Sequence, residues 1–167
     1  MRFKSIIFLS LSLTTMTGCK SDSKTFTSLN RHLSLTLPAD WEEYNDGEES
    51  TSAFFNSKSW TGNFRVTPFH WRKPAGETED QAAEFVQDEL NDNPGASRFK
   101  IGEYDCAHYK KDIVQDGEQL VIYYWAFGWK NSLFICSFTI VKNQDNTTQN
   151  QTGLQTIQSI IASIKIG

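Results

Sequence analysis

Three histidines, three cysteines and twenty carboxylates are the side chains of this 167-residue chain with chemistry to offer, and their spacing decides which chemistry is open to them. His32, His70 and His108 lie far apart and show no ligand spacing such as H-x-x-x-H. Zinc or non-haem iron needs imidazole, thiolate or carboxylate groups that converge. Nothing in the sequence places such groups together, so each histidine reads as an ordinary surface or strand residue. Glu42-Glu43, Asp46, Glu48-Glu49, and Glu77 with Glu79-Asp80 are oxygen donors of the kind calcium takes. They lack the alternating acidic loop that closes on glycine and read as solvated loop and helix-cap carboxylates. There is no G-x-S-x-G elbow, no serine with a visible base and no Gly-rich phosphate loop. The expectation is a chain with no catalytic residue, no metal and no cofactor, that is, not an enzyme.

Modification of a thiol is different. Met1-Arg2-Phe3-Lys4 brings two positive charges, and Ser5 to Thr15 is apolar or small and uncharged, which is an n-region followed by an h-region. The apolar run is about half of the roughly 20 residues that a membrane-spanning helix needs, so it reads as a removable leader. Met16-Thr17-Gly18-Cys19 follows. It resembles the lipobox of bacterial lipoproteins, with small residues at the two positions before the cysteine and Met16 at the third, where that family more often has Leu. The resemblance implies that Met16, Thr17 and Gly18 are recognised by a signal peptidase, and that Cys19 carries diacylglycerol on its sulfur. Two acyl chains exceed the one-chain limit below which membrane binding is marginal.

These readings divide the chain into a signal peptide at 1–18, a lipidated tether at 19–28 and a single domain at 29–167. Lys20 to about Thr27 alternates Ser, Asp, Lys and Thr, a composition suited to a flexible tether. The expected location is the cell envelope, lipid-anchored outside the cytoplasm, on the periplasmic side of an outer membrane or at the cell surface. Cleavage leaves 149 residues, enough for one core, and takes the formal charge from −4 to −6 because Arg2 and Lys4 leave. An acidic chain with scattered Lys and Arg is a poor match to nucleic acid. Charge alone would not hold it on anionic lipid either, so the acyl chains must.

The elements that position the remaining residues follow from periodicity. Leu33–Leu37 alternates with period 2 and is closed by Pro38, Ala53–Phe55 is short, and Phe64–Trp71 is an apolar-rich strand interrupted at Pro68. Thr78-Glu79-Asp80-Gln81 is a capping box ahead of Ala82, Phe85, Val86 and Leu90 at helical spacing, and Asn93-Pro94-Gly95 stops that helix. Asp116-Gly117 is a two-residue hairpin signal between Tyr104–Val114 and Leu120–Trp129, and Lys130-Asn131 offers a second turn before Leu133–Val141. Counting outward from those turns sets Cys106 opposite Phe127 and Cys136 opposite Trp125. The two thiols are then two strands apart, roughly 9–10 Å, beyond the roughly 7 Å limit for a bridge, so both are expected free and buried. A polar loop at Asn143–Gly153 leads to a second helix with Leu154, Ile157, Ile160, Ile161 and Ile164 on one face. The fold class is α/β (α+β), an antiparallel sheet covered by helices.

Across nearly all of the mature chain the order is "LSLTLPADW", a short strand pair, "TEDQAAEFVQDEL", a meander containing "YWAFGWKNSLFICSFTI", and finally "LQTIQSIIASIKI". This order resembles the PsbP-like superfamily, which includes the DcrB-type bacterial lipoproteins. The resemblance implies an αβα sandwich used for binding or assembly, with no catalytic residue to carry over.

Aromatics are plentiful, 22 of 167 residues. Tyr123, Trp125, Phe127 and Trp129 share a strand face with Phe134, Cys136, Phe138 and Ile140 on the next strand, and these are core. Tyr124 points to the other face, while Trp60, Phe69 and Trp71 lie near strand ends. Aromatics at such positions anchor interfaces at low entropic cost, so Trp60, Phe69, Trp71 and Tyr124 are the candidate binding surface. The expected partners are the membrane, through the lipid, and a protein, as an assembly accessory or immunity-type factor. The alternative is a carrier or sensor of a small apolar or carbohydrate ligand in a pocket walled by those aromatics.

Overall fold

Alternation of apolar and polar residues builds most of this molecule. The computed structural model describes residues 22–28, 33–70, 81–129 and 132–166. They form, in order, β1 (Ser23–Thr27), β2 (Leu33–Pro38), β3 (Trp41–Tyr44), β4 (Ser52–Asn56), β5 (Asn63–His70), α1 (Gln81–Asp92), β6 (Ser97–Ile101), β7 (Tyr104–Gln115), β8 (Glu118–Trp129), β9 (Ser132–Val141), a 3-10 turn (Lys142–Gln144), α2 (Thr148–Ala162) and β10 (Lys165–Ile166). Seven strands pair antiparallel in the order β3-β4-β5-β9-β8-β7-β6, and β1-β2-β10 form a separate small sheet.

The β7–β8 hairpin turns at Asp116 (φ 52°) and Gly117 (φ 84°), both left-handed, as the two-residue turn of an Asp-Gly hairpin requires. Its register runs from Gln115 opposite Glu118 to Cys106 opposite Phe127. On the other side of β8, Trp125 pairs with Cys136 and Trp129 with Ser132. Cys106 and Cys136 are therefore two strands apart, and both are free and buried, as expected. Burial pushes the Cys106 thiol up to about 12 and Cys136 well above its ordinary value, so neither is a nucleophile at neutral pH.

One face of the large sheet carries the main core. Phe54, Phe64, Val66, Cys106, Trp125, Phe127, Cys136 and Phe138 are fully buried there, beneath Ile157, Ile160 and Ile161 of α2 and Leu33, Leu35 and Leu37 of β2. Two contacts tie the end of α2 down. Ser163 Oγ accepts from Thr36 N–H at 2.8 Å, and the Tyr104 hydroxyl donates to the Ile164 carbonyl. On the opposite face α1 lays Phe85, Val86 and Leu90 on Ala107, Ala126 and Ile135. Its approach needs Gly128, where a Cβ would come within 2.5 Å of the Ala82 Cβ. The result is the mixed α+β arrangement expected, a seven-stranded antiparallel sheet with helices on both faces.

Several boundaries differ from expectation. Ser23–Thr27 lies inside the span read as a tether, yet it forms β1, paired with β2 along its whole length, and its Phe26 packs edge-on to Phe54 at 5.0 Å. A single aromatic and a ready β2 edge outweigh the polar composition. Within the span read as a loop at Asn143–Gly153, α2 already begins at Thr148, because Thr147 caps it by accepting the Asn150 N–H at 3.1 Å. Trp129, expected in the core, is 37% exposed, since it closes the strand where the sheet above it ends. Pro68 does not end β5. β4 pairs with β5 only as far as Val66, and beyond that β5 is an edge, which tolerates proline. The signal peptide, Cys19, His32, Trp71 and most of the capping box fall outside the described residues.

Trp125 is fully enclosed, and its ring stacks on His108 at 5.0 Å. Its buried indole N–H has no partner among the described residues, so truncation also removes an unsatisfied donor. Trp125→Ala should therefore cost about 3 kcal/mol, the low end for emptying a large aromatic site. Trp60→Ala, which leaves no cavity, should cost about 1 kcal/mol or less. Urea denaturation of the two variants measures both; equal losses would put Trp60 in the core.

Candidate functional site

Among the described residues the two faces of the large sheet are covered unequally, and the candidate surface follows from that. Register places Tyr109, Tyr124, Ser137, Arg65, Ala53 and Tyr44 side by side across six strands, on the face opposite the main core. The neighbouring row is Lys111, Ile122, Thr139, Asn63, Phe55 and Glu42. α1 meets the first row at Tyr109, whose hydroxyl donates to Glu89 at 2.7 Å. Among the described residues α1 packs chiefly on β8 and β7, so β5, β4 and β3 carry the part of the first row that helices cover least. Tyr124, Ser137 and Tyr44 are half-buried and Arg65 is exposed, while Ala53 in the same row is sealed, as are Phe64, Val66 and Phe138 on the reverse of these strands.

Local contacts organise this face. The Tyr109 and Tyr124 rings stack at 4.9 Å, with the Lys111 ammonium 5.3 Å and 5.8 Å from their centroids. At the other side Tyr44 meets Phe55 edge-on at 5.8 Å, and Phe55 meets Trp60 at 4.6 Å. The β3–β4 loop brings the buried Asp46 carboxylate to 3.1 Å from Arg65 Nε, an ion pair without hydrogen-bond alignment. Trp60 itself is 70% exposed and stands at φ 47°, where a bulky side chain is strained by roughly 1–3 kcal/mol. Asn56 holds it there, with its carbonyl accepting Trp60 N–H at 2.9 Å and its Oδ1 accepting Lys58 and Ser59 N–H, each at 2.9 Å. Gly62 completes the turn, since a Cβ would sit 2.4 Å from the Thr139 carbonyl oxygen.

The sequence-derived candidates are not brought together. Trp60 lies in the β4–β5 turn, three residues before β5, and Phe69, 43% exposed, lies toward the far end of that strand, six residues or roughly 20 Å from its first residue. Tyr124 is mid-strand with Tyr109 for a neighbour, and Trp71 is outside the described residues. Phe55, Tyr44, Arg65 and Tyr109 were missed. They lie on the face only through cross-strand register, which the turns of several residues around β4 conceal.

One buried polar cluster lies on the core side. The Tyr123 hydroxyl donates to Asp145, Asn150 Nδ2 donates to the Tyr123 oxygen at 3.1 Å, and Lys110 Nζ reaches Asp145 at 3.1 Å. Lys142 bridges to Asp112 at 2.7 Å and stands 3.9 Å from Asp145, whose side chain is 4% exposed. Burial, then Asp145, pushes Tyr123 up to about 12. The Tyr123 hydrogen bond, then Lys110, holds Asp145 below the usual carboxylate range against its own burial. Phenol and carboxylate thus stay in one protonation state near neutrality. A proton-transfer site needs a group poised near the working pH, and this cluster fastens α2 to β8 instead. His108 is lowered by burial; its Nδ1 faces the Tyr124 carbonyl at 2.8 Å and therefore carries the proton. No group of three His, Cys, Asp or Glu among the described residues is disposed to hold a metal.

Grooves are found among the described residues. One of about 440 Å³ is lined by Ala82, Val86, Glu103, Asp105, Gly128 and Trp129, and another of about 240 Å³ by Asp112, Val114, Leu120 and Lys142 among others. Trp60, Phe69 and Tyr124 line neither.

The model of the family described as a domain of unknown function, DUF3805, matches residues 21–166, and the chain belongs to that family. No curated protein matches it. Among solved structures, a Bacteroides thetaiotaomicron protein is 30% identical with a TM-score of 0.70 over 86% of this chain and 48% of its own, so the chain spans about half of that protein's length. The Saccharomyces cerevisiae Ran-binding protein Mog1p is 9% identical with a TM-score of 0.54 over 87% of this chain and 96% of its own. Cyanobacterial PsbP from Synechocystis is 9% identical with a TM-score of 0.43 over 93% of this chain and 99% of its own. The likeness to Mog1p shows a shared mixed α+β fold, the fold class that the sequence implied.

Because Asp145 is held low, its contribution to stability is present above its unfolded value near ~4 and is lost as pH falls through the lower folded value. Asp145→Asn keeps the shape and removes the charge. Urea denaturation at stepped pH should show wild type losing stability on acidification below about pH 5 and the variant losing less over the same range. Parallel curves would mean that the cluster does not depend on this charge.

Proposed function

We propose that this DUF3805-family chain is a non-enzymatic envelope lipoprotein that is anchored through Cys19 and docks a protein partner on the open face of its large sheet. The observation that carries the reading is the unequal covering of that sheet. Tyr124, Arg65, Tyr44 and Phe55 offer aromatic and guanidinium groups, the residue types that dominate binding energy at protein interfaces. They stand on a rigid sheet and not on a loop, which keeps the ordering cost of docking low. An assembly accessory or an immunity-type factor would use such a surface, and so would a lipoprotein of the DcrB type. The Met16-Thr17-Gly18-Cys19 segment supports the anchor, and the described residues contain no helix long and apolar enough to cross a membrane.

Two experiments bear on the two halves of this reading. Cys19→Ala should abolish incorporation of a metabolic acyl-chain probe, and undiminished labelling would refute the anchor. Ser137 sits at the centre of the open face, so Ser137→Arg places a long charged side chain in the docking plane without entering the core. Recovery of a protein co-purifying from detergent-solubilised envelope should fall by about tenfold, the equivalent of about 1.4 kcal/mol, with melting unchanged. Equal recovery with wild type and variant, or no co-purifying protein, would count against this face.

A further inference from the structure

The anchor and the most exposed aromatic lie at one end of the molecule. The Asp22 carbonyl, at the head of β1, accepts the Ala39 N–H at 2.9 Å, which places it against the β2–β3 turn. The next residue in that turn, Asp40, accepts the Ser57 N–H at 2.8 Å on its carbonyl and the Asn56 Nδ2–H at 3.0 Å on its carboxylate. Asn56 in turn holds the Trp60 N–H. Two hydrogen-bonded backbone steps therefore separate Asp22 from the β4–β5 turn, a distance on the order of 15 Å between Asp22 and Trp60. Cys19 precedes Asp22 by three residues, a reach of at most about 11 Å. A bilayer holding lipid on Cys19 can then come within touching distance of the β4–β5 turn.

We propose that this turn, with Trp60 at its tip, rests in the headgroup layer of the membrane to which Cys19 anchors the chain; the inference rests on the lipoprotein reading above. In water the Trp60 indole is 70% exposed on a strained backbone, stiffly backed by Phe55 at 4.6 Å. An amphipathic indole is at its best at the membrane–water interface, where the ring is dehydrated and the N–H stays wet. Lys58 in the same turn and Lys24 on β1 are exposed cations, but Asp22, Glu42 and Glu43 are exposed close by, so charge does not hold the tip. The indole does, and contact should depend little on anionic lipid. β4 and β5 then run away from the bilayer, and the open face stands clear of it with Phe69 at the far end.

The test uses the full lipidated chain in vesicles of phosphatidylethanolamine with a minority of phosphatidylglycerol, some made with phospholipid brominated near the headgroup. Bromine should quench part of the tryptophan emission of wild type, and Trp60→Leu should lose most of that quenching. Trp129→Leu, altered at the opposite end of the sheet, should keep it. If wild type floats with the vesicles but Trp60→Leu is quenched as strongly as wild type, the tip contact is refuted while the anchor stands. If wild type does not float, the anchor and the tip contact fall together.

Discussion

The pairing register set at Asp116 and Gly117 is the constraint on which the rest of the sheet depends. Two consecutive left-handed residues close β7 on β8 with no slack. A slip of one residue would send every side chain of a strand to the opposite face. Cys106 and Trp125 would leave the core, and Tyr109 and Tyr124 would leave the open face. Because β9 continues from β8 in the matching register, the assignment carries on through Cys136 and Phe138 to β5 and β4. The sealed core and the aromatic outer face are two sides of one register.

The unequal faces follow from the different reach of what packs on them. On the core side α2 and the β1-β2-β10 sheet act together, with Ile157, Ile160 and Ile161 over one half and Leu33, Leu35 and Leu37 over the other. The polar cluster of Tyr123, Asp145 and Asn150 adds direction to that packing, because it holds the start of α2 at one end of the sheet while Ser163 and Tyr104 hold the other. On the outer side α1 has twelve residues and a narrow apolar stripe, enough for Ala107 and Ala126 but not for a sheet seven strands wide. Small residues and Gly128 let it sit close, at the cost of breadth.

Legibility in the sequence tracked how local the determining interaction was. The pairing register of β7, β8 and β9 could be read to the residue, since a two-residue turn and period-2 alternation leave one solution; the free thiols followed from counting. β6, Ser-Arg-Phe-Lys-Ile, is exposed for most of its length and shows no alternation, so nothing marked it as a strand until β7 paired with it. β1 was hidden by its polar composition, because its order comes from β2. The start of α2 was hidden by a polar first turn, in which only the Thr147 cap signals a helix. Of the candidate surface, Trp60 and Tyr124 were legible as aromatics out of place, but their neighbours were not. Phe55 and Tyr44 depend on register across turns that admit many lengths, and Asp145, inside the span read as a polar loop, became structural only through strands distant in sequence.

Strain at Trp60 sharpens the reading of the β4–β5 turn. Asn56 commits its carbonyl to Trp60, its Oδ1 to Lys58 and Ser59 and its Nδ2 to Asp40 in holding this turn, and Gly62 permits the approach to β9 that completes it. A loop required only to connect two strands would relax the left-handed residue by accepting glycine or asparagine there. Instead the position carries the largest side chain, directed outward, with Phe55 behind it as a stiff support. Stability alone gives no reason for that choice, because burying the indole or replacing it would cost less. A surface outside the domain that receives the ring supplies one, and the hydrogen-bonded path from Asp22 through Asp40 to Asn56 makes the bilayer the surface within reach of this end.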